Sequence, residues 1–362
     1  MKPVDKSVTM NRIGAAAFVI LYAWIIVPVE CTSQVASNTV DWGVQSLPLS
    51  RVGSAGWQFL KLPADARSTA LGGIQSALAY GSANSSFSNP ASAADVRDMD
   101  LQFSSMNWVA GIKYSTTAFV KNLGPIGSVG INCTYLNYGD MIRTEVSEGF
   151  DPNSGASLGI IPLTEGRGTF GAHDLSAGVL FSRQVTDFLQ VGGTLRYLEE
   201  QIDDAKMHTW SLGIGTLYWT GLGSLRISML GLNFGSDGQF ESYQNRVAQP
   251  PVKVVLPMQF IGGTAYDILN SSGQGSQRLT LAAEYVKPND GPSKYRVGLE
   301  YFAFSNIYLR GGYKFNYDEE SYTFGFGAEY AVDPPFAVKV DYAYAALGRF
   351  HDAQIFTIGL TF

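Results

Sequence analysis

The chain has 362 residues, of which 15% are charged and 46% hydrophobic, with a formal net charge of −6. Charge this sparse, against roughly a quarter of residues in soluble domains, argues against an ordinary soluble fold. The acidic balance and the lack of a basic stripe exclude a nucleic-acid partner.

Residues 1–33 read as an export signal. Lys2, Lys6 and Arg12 give a basic start, Ile13 to Val29 is nearly unbroken apolar sequence, and Cys31 and Ser33 are small residues before Gln34. An uncleaved anchor helix is the rival reading of this run. A lipid-modified Cys31 is a further rival, poorly served by the preceding Glu30. No second long apolar run follows, so no spanning helix is expected beyond the signal. Only Cys133 lies well inside the mature chain, too little for a disulfide framework. Residues 34–51 form a linker that is polar and proline-containing from Asp41 to Ser50.

Residues 52–98 differ from everything after them. They are rich in small residues and turn formers and show no sustained alternation. Pro63 and Asp65 sit where a short helix can start, and Gly72-Gly73 where it must stop. Ala66, Ala70 and Leu71 would form its small apolar face, and Asn89-Pro90 forces a turn. A compact irregular segment ahead of a long strand-forming run predicts an N-terminal plug inside a barrel. Packing filler and gate are both open as its role.

Residues 99–362 alternate. Phe356, Ile358, Leu360 and Phe362 share one face, with Thr357, Gly359 and Thr361 on the other. Val338, Val340, Tyr342 and Tyr344 oppose Lys339 and Asp341, and the same split recurs around Arg278, Arg296, Glu300, Arg310 and Lys314. Side chains of a strand point to opposite faces with period 2. A charge at the lipid midplane costs about 2–4 kcal/mol, so a face free of charge suits lipid. A soluble sandwich accounts for the alternation equally well; the export signal, the low charge, the 40 glycines and the terminal Phe362 decide against it. The expected fold is all-β: a transmembrane antiparallel β-barrel of about fourteen strands with a small plug, in a Gram-negative-type outer membrane. Strand parity puts the short connections, such as Gly221–Gly223, on the periplasmic side. Gly139–Gly171, Glu199–Lys206 and Gly235–Pro251 become long outer loops, with both termini and the plug at the periplasmic mouth.

No catalytic constellation is present, and neither a cofactor nor a metal is expected. Gly155-Ala156-Ser157-Leu158-Gly159 has the nucleophile-elbow spacing but lacks the strand before it and helix after it that the motif needs. His173, His208 and His351 lie at outer strand ends beside carboxylates without ligand spacing, and read as a solvated rim. The lumenal charges Arg278, Arg296, Glu300, Arg310, Lys314, Lys339 and Asp341 read first as a paired network fixing the strands, and second as a polar conduit. An uptake route for hydrophobic solutes would instead need an apolar pocket above the plug, whose lining the sequence does not identify.

Phe59 to Arg67 (FLKLPADAR) with Ala70-Leu71-Gly72-Gly73 and Asn89-Pro90-Ala91 resembles the N-terminal motif of the PorV/PorQ family, outer-membrane barrels related to FadL-type transporters. The resemblance continues at Tyr138-Gly139-Asp140, Gly168 to Ala172 and Asp341 to Tyr344; Ser92 departs from the small turn residue common there. It implies a non-catalytic role in type IX protein secretion, with secretion-system proteins and cargo bearing C-terminal signal domains as partners. Asp65, Arg67, Gly72, Gly73, Asn89 and Pro90 are then the plug motif. The outer loops become the partner surface, with Phe240 and Tyr243 as aromatic anchors. Asp65 and Arg67 are expected to lock the plug by pairing with lumenal charges. The alternative is a FadL-like transporter with a hydrophobic ligand.

Overall fold

The computed structural model describes residues 51–362 except 79–80, 151–156, 164–167, 241–252, 272–276, 305 and 334. The signal, nearly all of the linker and Tyr243 lie outside the described residues. Among those described, no helix is long and apolar enough to cross a membrane.

Strand-forming sequence dominates from Met99 onward. The strands are β1 Met99–Asn107, β2 Lys113–Asn122, β3 Ser128–Ile142, β4 Glu145–Phe150, β5 Ser157–Leu163, β6 Thr169–Thr186, β7 Leu189–Ile202 and β8 Ala205–Trp219. They continue with β9 Arg226–Gly235, β10 Gln259–Ser271, β11 Gln277–Pro288, β12 Lys294–Ala303, β13 Ile307–Phe315, β14 Tyr322–Asp333, β15 Phe336–Ala345 and β16 Ala353–Thr361. Fourteen of them close into one antiparallel barrel, and β4 and β5 form a separate two-stranded hairpin between β3 and β6. β1 pairs with β16 from Asp100–Thr361 to Asn107–Gln354, which closes the ring.

The sense of the alternation settles what surrounds the barrel. Glu300, Arg310 and Lys314 are buried, whereas Phe324, Phe326, Phe356 and Ile358 are half or more exposed. A soluble sandwich would reverse this. Aromatic rings gather toward both ends, with Tyr313, Phe315 and Tyr322 at one and Phe304 and Tyr330 at the other, as membrane interfaces favour. The chain is an outer-membrane β-barrel.

The plug differs from expectation in place and extent. It runs through the lumen from end to end. Gln58 and Lys61 bond to Asp290 in the outer β11–β12 turn, while Asp95 bonds to Gln190 at the periplasmic start of β7. The described chain therefore enters at the outer end, not at the periplasmic mouth. Parity separates the two ends of the barrel but carries no information on a segment that forms no strand. The Glu199–Lys206 connection is a tight turn at Asp203–Asp204, because β7 and β8 pair out to Ile202 and Ala205.

Helix α1, Ala66–Ala70, has Asp65 as its N-cap and ends before Gly72 and Gly73, at φ 72° and 83°. Its backbone touches the wall because the wall withholds side chains. A Cβ on Gly312 would lie 2.2 Å from the Gly72 nitrogen, and one on Gly215 would lie 2.3 Å from Asn89 Oδ1. The plug also joins the two seam strands: Ala66 N–H donates to Thr357 of β16, and Ala83 N–H donates to Asp100 of β1.

Gly312→Val should break this docking, lowering stability by about 1–3 kcal/mol or more as overpacked cores do. Gly262→Val, where a Cβ meets nothing within 4 Å, should be near neutral. Urea titration of the heat-modifiable band on semi-native gels separates the two; equal midpoints would refute close docking.

Candidate functional site

The lumen has two zones, and the inward-facing residues of single strands show both. In β1 they run Asp100, Gln102, Ser104, Met106 toward the outside; in β3, Ser128, Asn132, Thr134, Leu136; in β7, Gln190, Thr194, Arg196, Leu198. On these three strands polar residues line the periplasmic and middle parts and an apolar one the outer part. Elsewhere the outer lumen also carries Asp174, Glu284 and Lys314, and further apolar clusters lie around Val120, Leu180 and Leu71.

The polar zone binds the plug body. Arg67 makes a bidentate pair with Glu300, at 2.8 and 2.9 Å. Glu300 also accepts from Arg310 Nε at 2.8 Å and lies 3.7 Å from Arg278; Arg310 continues to Asp341. Strand register sets this up by placing Glu300 directly opposite Arg310. Arg296 donates to the Gly73 carbonyl at 2.8 Å and to the Tyr317 hydroxyl at 2.7 Å. Glu284 accepts from the Gln75 and Ser76 N–H groups at 2.8 and 2.6 Å. Thr323 donates to the Ala70 carbonyl and accepts from Gly72 N–H, both at 2.9 Å. Asn89 donates to the Ser76 and Thr216 carbonyls, and its Oδ1 accepts from Ala91 N–H. Pro90 then lies against β7, where a Cβ on Gly192 would be 2.5 Å from its carbonyl carbon.

Asp65 and Arg67 part company. Arg67 reaches the lumenal charges, but Asp65 accepts from Ser68 N–H at 3.0 Å and caps its own helix. Burial pushes its carboxyl above the usual carboxylate range, against the pull of that bond. Lys314 and Lys339 pair with Glu320 and Glu329, apart from the Glu300 cluster. The network is thus paired throughout these positions, as a conduit for ions is not. Inside the plug lies a void of about 10 Å³ lined by Arg67, Leu71, Ile74 and Asn84, room for one water.

The apolar zone is the chamber that sequence reasoning missed. Trp57, Phe59, Leu60 and Leu62 fill it, packed on Met106, Leu136, Leu198, Met207, Leu256 and Ile355. Phe240, the predicted aromatic anchor, packs against this cluster instead of standing free on the surface. The sign available in sequence was the polar-to-apolar step along the inward positions of β1, β3 and β7. Trp57 is awkwardly held. Its φ of 45° is left-handed, at about 1–3 kcal/mol for a residue with a Cβ. Its indole N–H is buried without a partner, at about 1–3 kcal/mol more.

The histidines do not converge. His173 and His208 lie against the Tyr135 and Tyr197 rings on separate strands, and no cluster of three metal-ligating residues exists among the described residues.

Arg67→Ala should destabilise the barrel by about 1–3 kcal/mol, less than a fully broken buried pair because Arg310 still faces Glu300. It should also admit small polar solutes, read as faster nitrocefin hydrolysis by intact cells; wild-type permeability and stability together would leave the plug as packing alone. A second expectation concerns Asp290. Burial raises its pKa, but the Lys61 ammonium and Gln58 amide outweigh that and hold it below the usual carboxylate range. A depressed carboxylate stabilises fully above its unfolded value, about 3.9, and loses that contribution as pH falls through the lower folded value. Hydrogen exchange at Leu60–Leu62 should therefore rise only well into acid in the wild type, and already at neutral pH in Asp290→Asn.

No protein-family model matches this chain, and no curated protein does. Similar solved structures include the toluene transporter TbuX of Ralstonia pickettii, at 14% identity and TM-score 0.47, covering 82% of this chain and 97% of that one. The toluene transporter TodX of Pseudomonas putida has 13% identity and TM-score 0.48, covering 82% and 96%. A FadL homologue of Pseudomonas aeruginosa has 10% identity and TM-score 0.45, covering 82% and 98%. At this distance the fold assignment rests on the barrel's own hydrogen-bond pattern.

Proposed function

We propose that this barrel binds hydrophobic small molecules at its outer end and passes them into the envelope without catalysis. The observation that carries the reading is the apolar cluster of Met106, Leu136, Leu198 and Met207 at the outer end, the largest of the buried apolar clusters among the described residues. A stability core would be as useful at any depth. A pore for polar solutes would want hydrated, unpaired lumenal groups, and the Arg67–Glu300–Arg310 cluster offers none. Burial of apolar surface supplies the affinity, at about 25 cal/mol per Å², and entry from the outer face fits the position of the chamber.

Type IX secretion is the second reading, with the PorV/PorQ resemblance behind it. The observation in its favour is that the residues carrying the resemblance hold the plug in place. Arg67, Gly72, Gly73 and Asn89 all bond or abut the wall. A barrel kept shut suits a platform whose outer loops hold cargo and secretion-system proteins.

Pyrene fluorescence on the purified barrel tests the first reading. Saturable binding should weaken at least ~10-fold, or 1.4 kcal/mol, in Met207→Asp and stay unchanged in Lys339→Ala. Absence of binding, together with secreted proteins co-purifying in mild detergent, would transfer the assignment to secretion.

A further inference from the structure

The plug is held in two unequal parts. From Ala64 onward the wall grips it repeatedly. Thr116 donates to the Ala64 carbonyl, Arg226 to Ala77, Arg196 to Ser86 and Ser182 to Ala91, in addition to the Glu284, Glu300 and Thr323 bonds. Before Pro63 the polar ties change character. Gln58 and Lys61 share one carboxylate, Asp290, in an outer turn. Gly56 N–H donates to Val255 of another outer loop, and Trp57 N–H is given to Glu200 near the outer end of β7.

This stretch, tied to outer turns and a strand end rather than along the strand faces, is the one that fills the apolar chamber. It carries the left-handed Trp57 and the unpartnered indole N–H. The far edge of that indole sits where Gly238 has no side chain; a Cβ there would lie 2.0 Å from the ring. A glycine-floored slot thus accepts a flat ring, and the chain's own ring is in it. Leu62 is extended, at φ −71° and ψ 141°, and leads into Pro63. A stiff X–Pro joint therefore divides the part tied at the outer turns from the part tied along the strands.

We infer that residues 51–62 are an autoinhibitory stopper, a ligand mimic built into the chain. A hydrophobic solute displaces it by pivoting at Leu62–Pro63, while residues 64–98 stay in place. The inference rests on the chamber being a binding site and adds that the site is occupied by self until solute arrives. Strain and an unsatisfied donor in the resting state lower the cost of leaving it. The body of the plug keeps its bonds while the solute is captured, so capture at the outer end and onward passage are separate steps.

The test uses the full-length barrel in a Cys133→Ser background. Ala55 and Val255 are bridge partners, close enough for a disulfide. Oxidised Ala55→Cys/Val255→Cys protein should bind pyrene at least ~10-fold more weakly than the same protein reduced, and Trp57→Ala should bind ~3-fold or more tightly than wild type. Phe59→Cys should react faster with a membrane-impermeant maleimide when pyrene is added, and Ala77→Cys in the plug body should stay unreactive. Equal pyrene binding by oxidised and reduced protein would overturn the stopper and leave the chamber as a binding site. Pyrene binding by none of the forms, Trp57→Ala included, would remove the chamber reading and the stopper with it. Labelling of Ala77→Cys on addition of pyrene would show instead that the whole plug moves.

Discussion

The bidentate contact between Arg67 and Glu300 is where plug and wall come to depend on each other. Glu300 sits on β12 with its carboxylate almost wholly buried, a position that is costly for an ion without partners. Arg310 on the next strand supplies one cation by register, and Arg67 supplies the other from inside. The wall alone would leave the carboxylate with fewer hydrogen bonds, and the plug alone would leave the guanidinium without its bidentate partner. Gly298, Gly312 and Gly325 complete the arrangement by removing side chains where Leu71, Gly72 and Ala70 approach. The ion pair positions the helix, and the missing Cβ atoms allow it to arrive.

Much of the barrel was legible in the sequence because a strand writes its environment with period 2. The outward Phe356 and Ile358 against inward Thr357 gave both the strand and the face that meets lipid. Parity then separated the ends. The plug helix was legible through Asp65 and Gly72-Gly73, whose backbone roles are local. What escaped was set by three-dimensional contact. Asp65, like Arg67, reads in the sequence as a partner for lumenal charges, but its position one residue before α1 makes it a cap. The direction in which residues 52–98 traverse the lumen was invisible, because an irregular segment has no alternation to report which end it occupies. Tight pairing to Ile202 likewise made a turn of what its polar residues suggested was a loop.

The chamber occupies a middle case. Each inward residue of its lining looks unremarkable alone, since Met106 or Leu198 on a strand is ordinary. The information lies in comparing inward positions at the same height on strands that are distant in sequence. Once β1, β3 and β7 are aligned by depth, the change from Asp100, Ser128 and Gln190 to Met106, Leu136 and Leu198 reads as one step repeated on three strands. Beyond that step the plug is held by apolar contact together with bonds to outer turns and a strand end, Gln58 and Lys61 to Asp290 among them.

The plug's bonds to both seam strands have a bearing on how the molecule comes together. β1 and β16 pair from Asp100–Thr361 to Asn107–Gln354, far apart in sequence, and joining them closes the longest loop among the strand pairs, an entropic cost that local contacts cannot offset. Thr357 of β16 takes the Ala66 N–H and shares a hydroxyl contact with Ser104 of β1. Asp100 of β1 takes the Ala83 N–H and accepts from Thr361 of β16. A segment that precedes β1 thus bonds to both strands of the seam. The filling of the lumen helps to hold the final edge shut, since Ala66 and Ala83 hydrogen-bond to strands that meet only when the ring is complete.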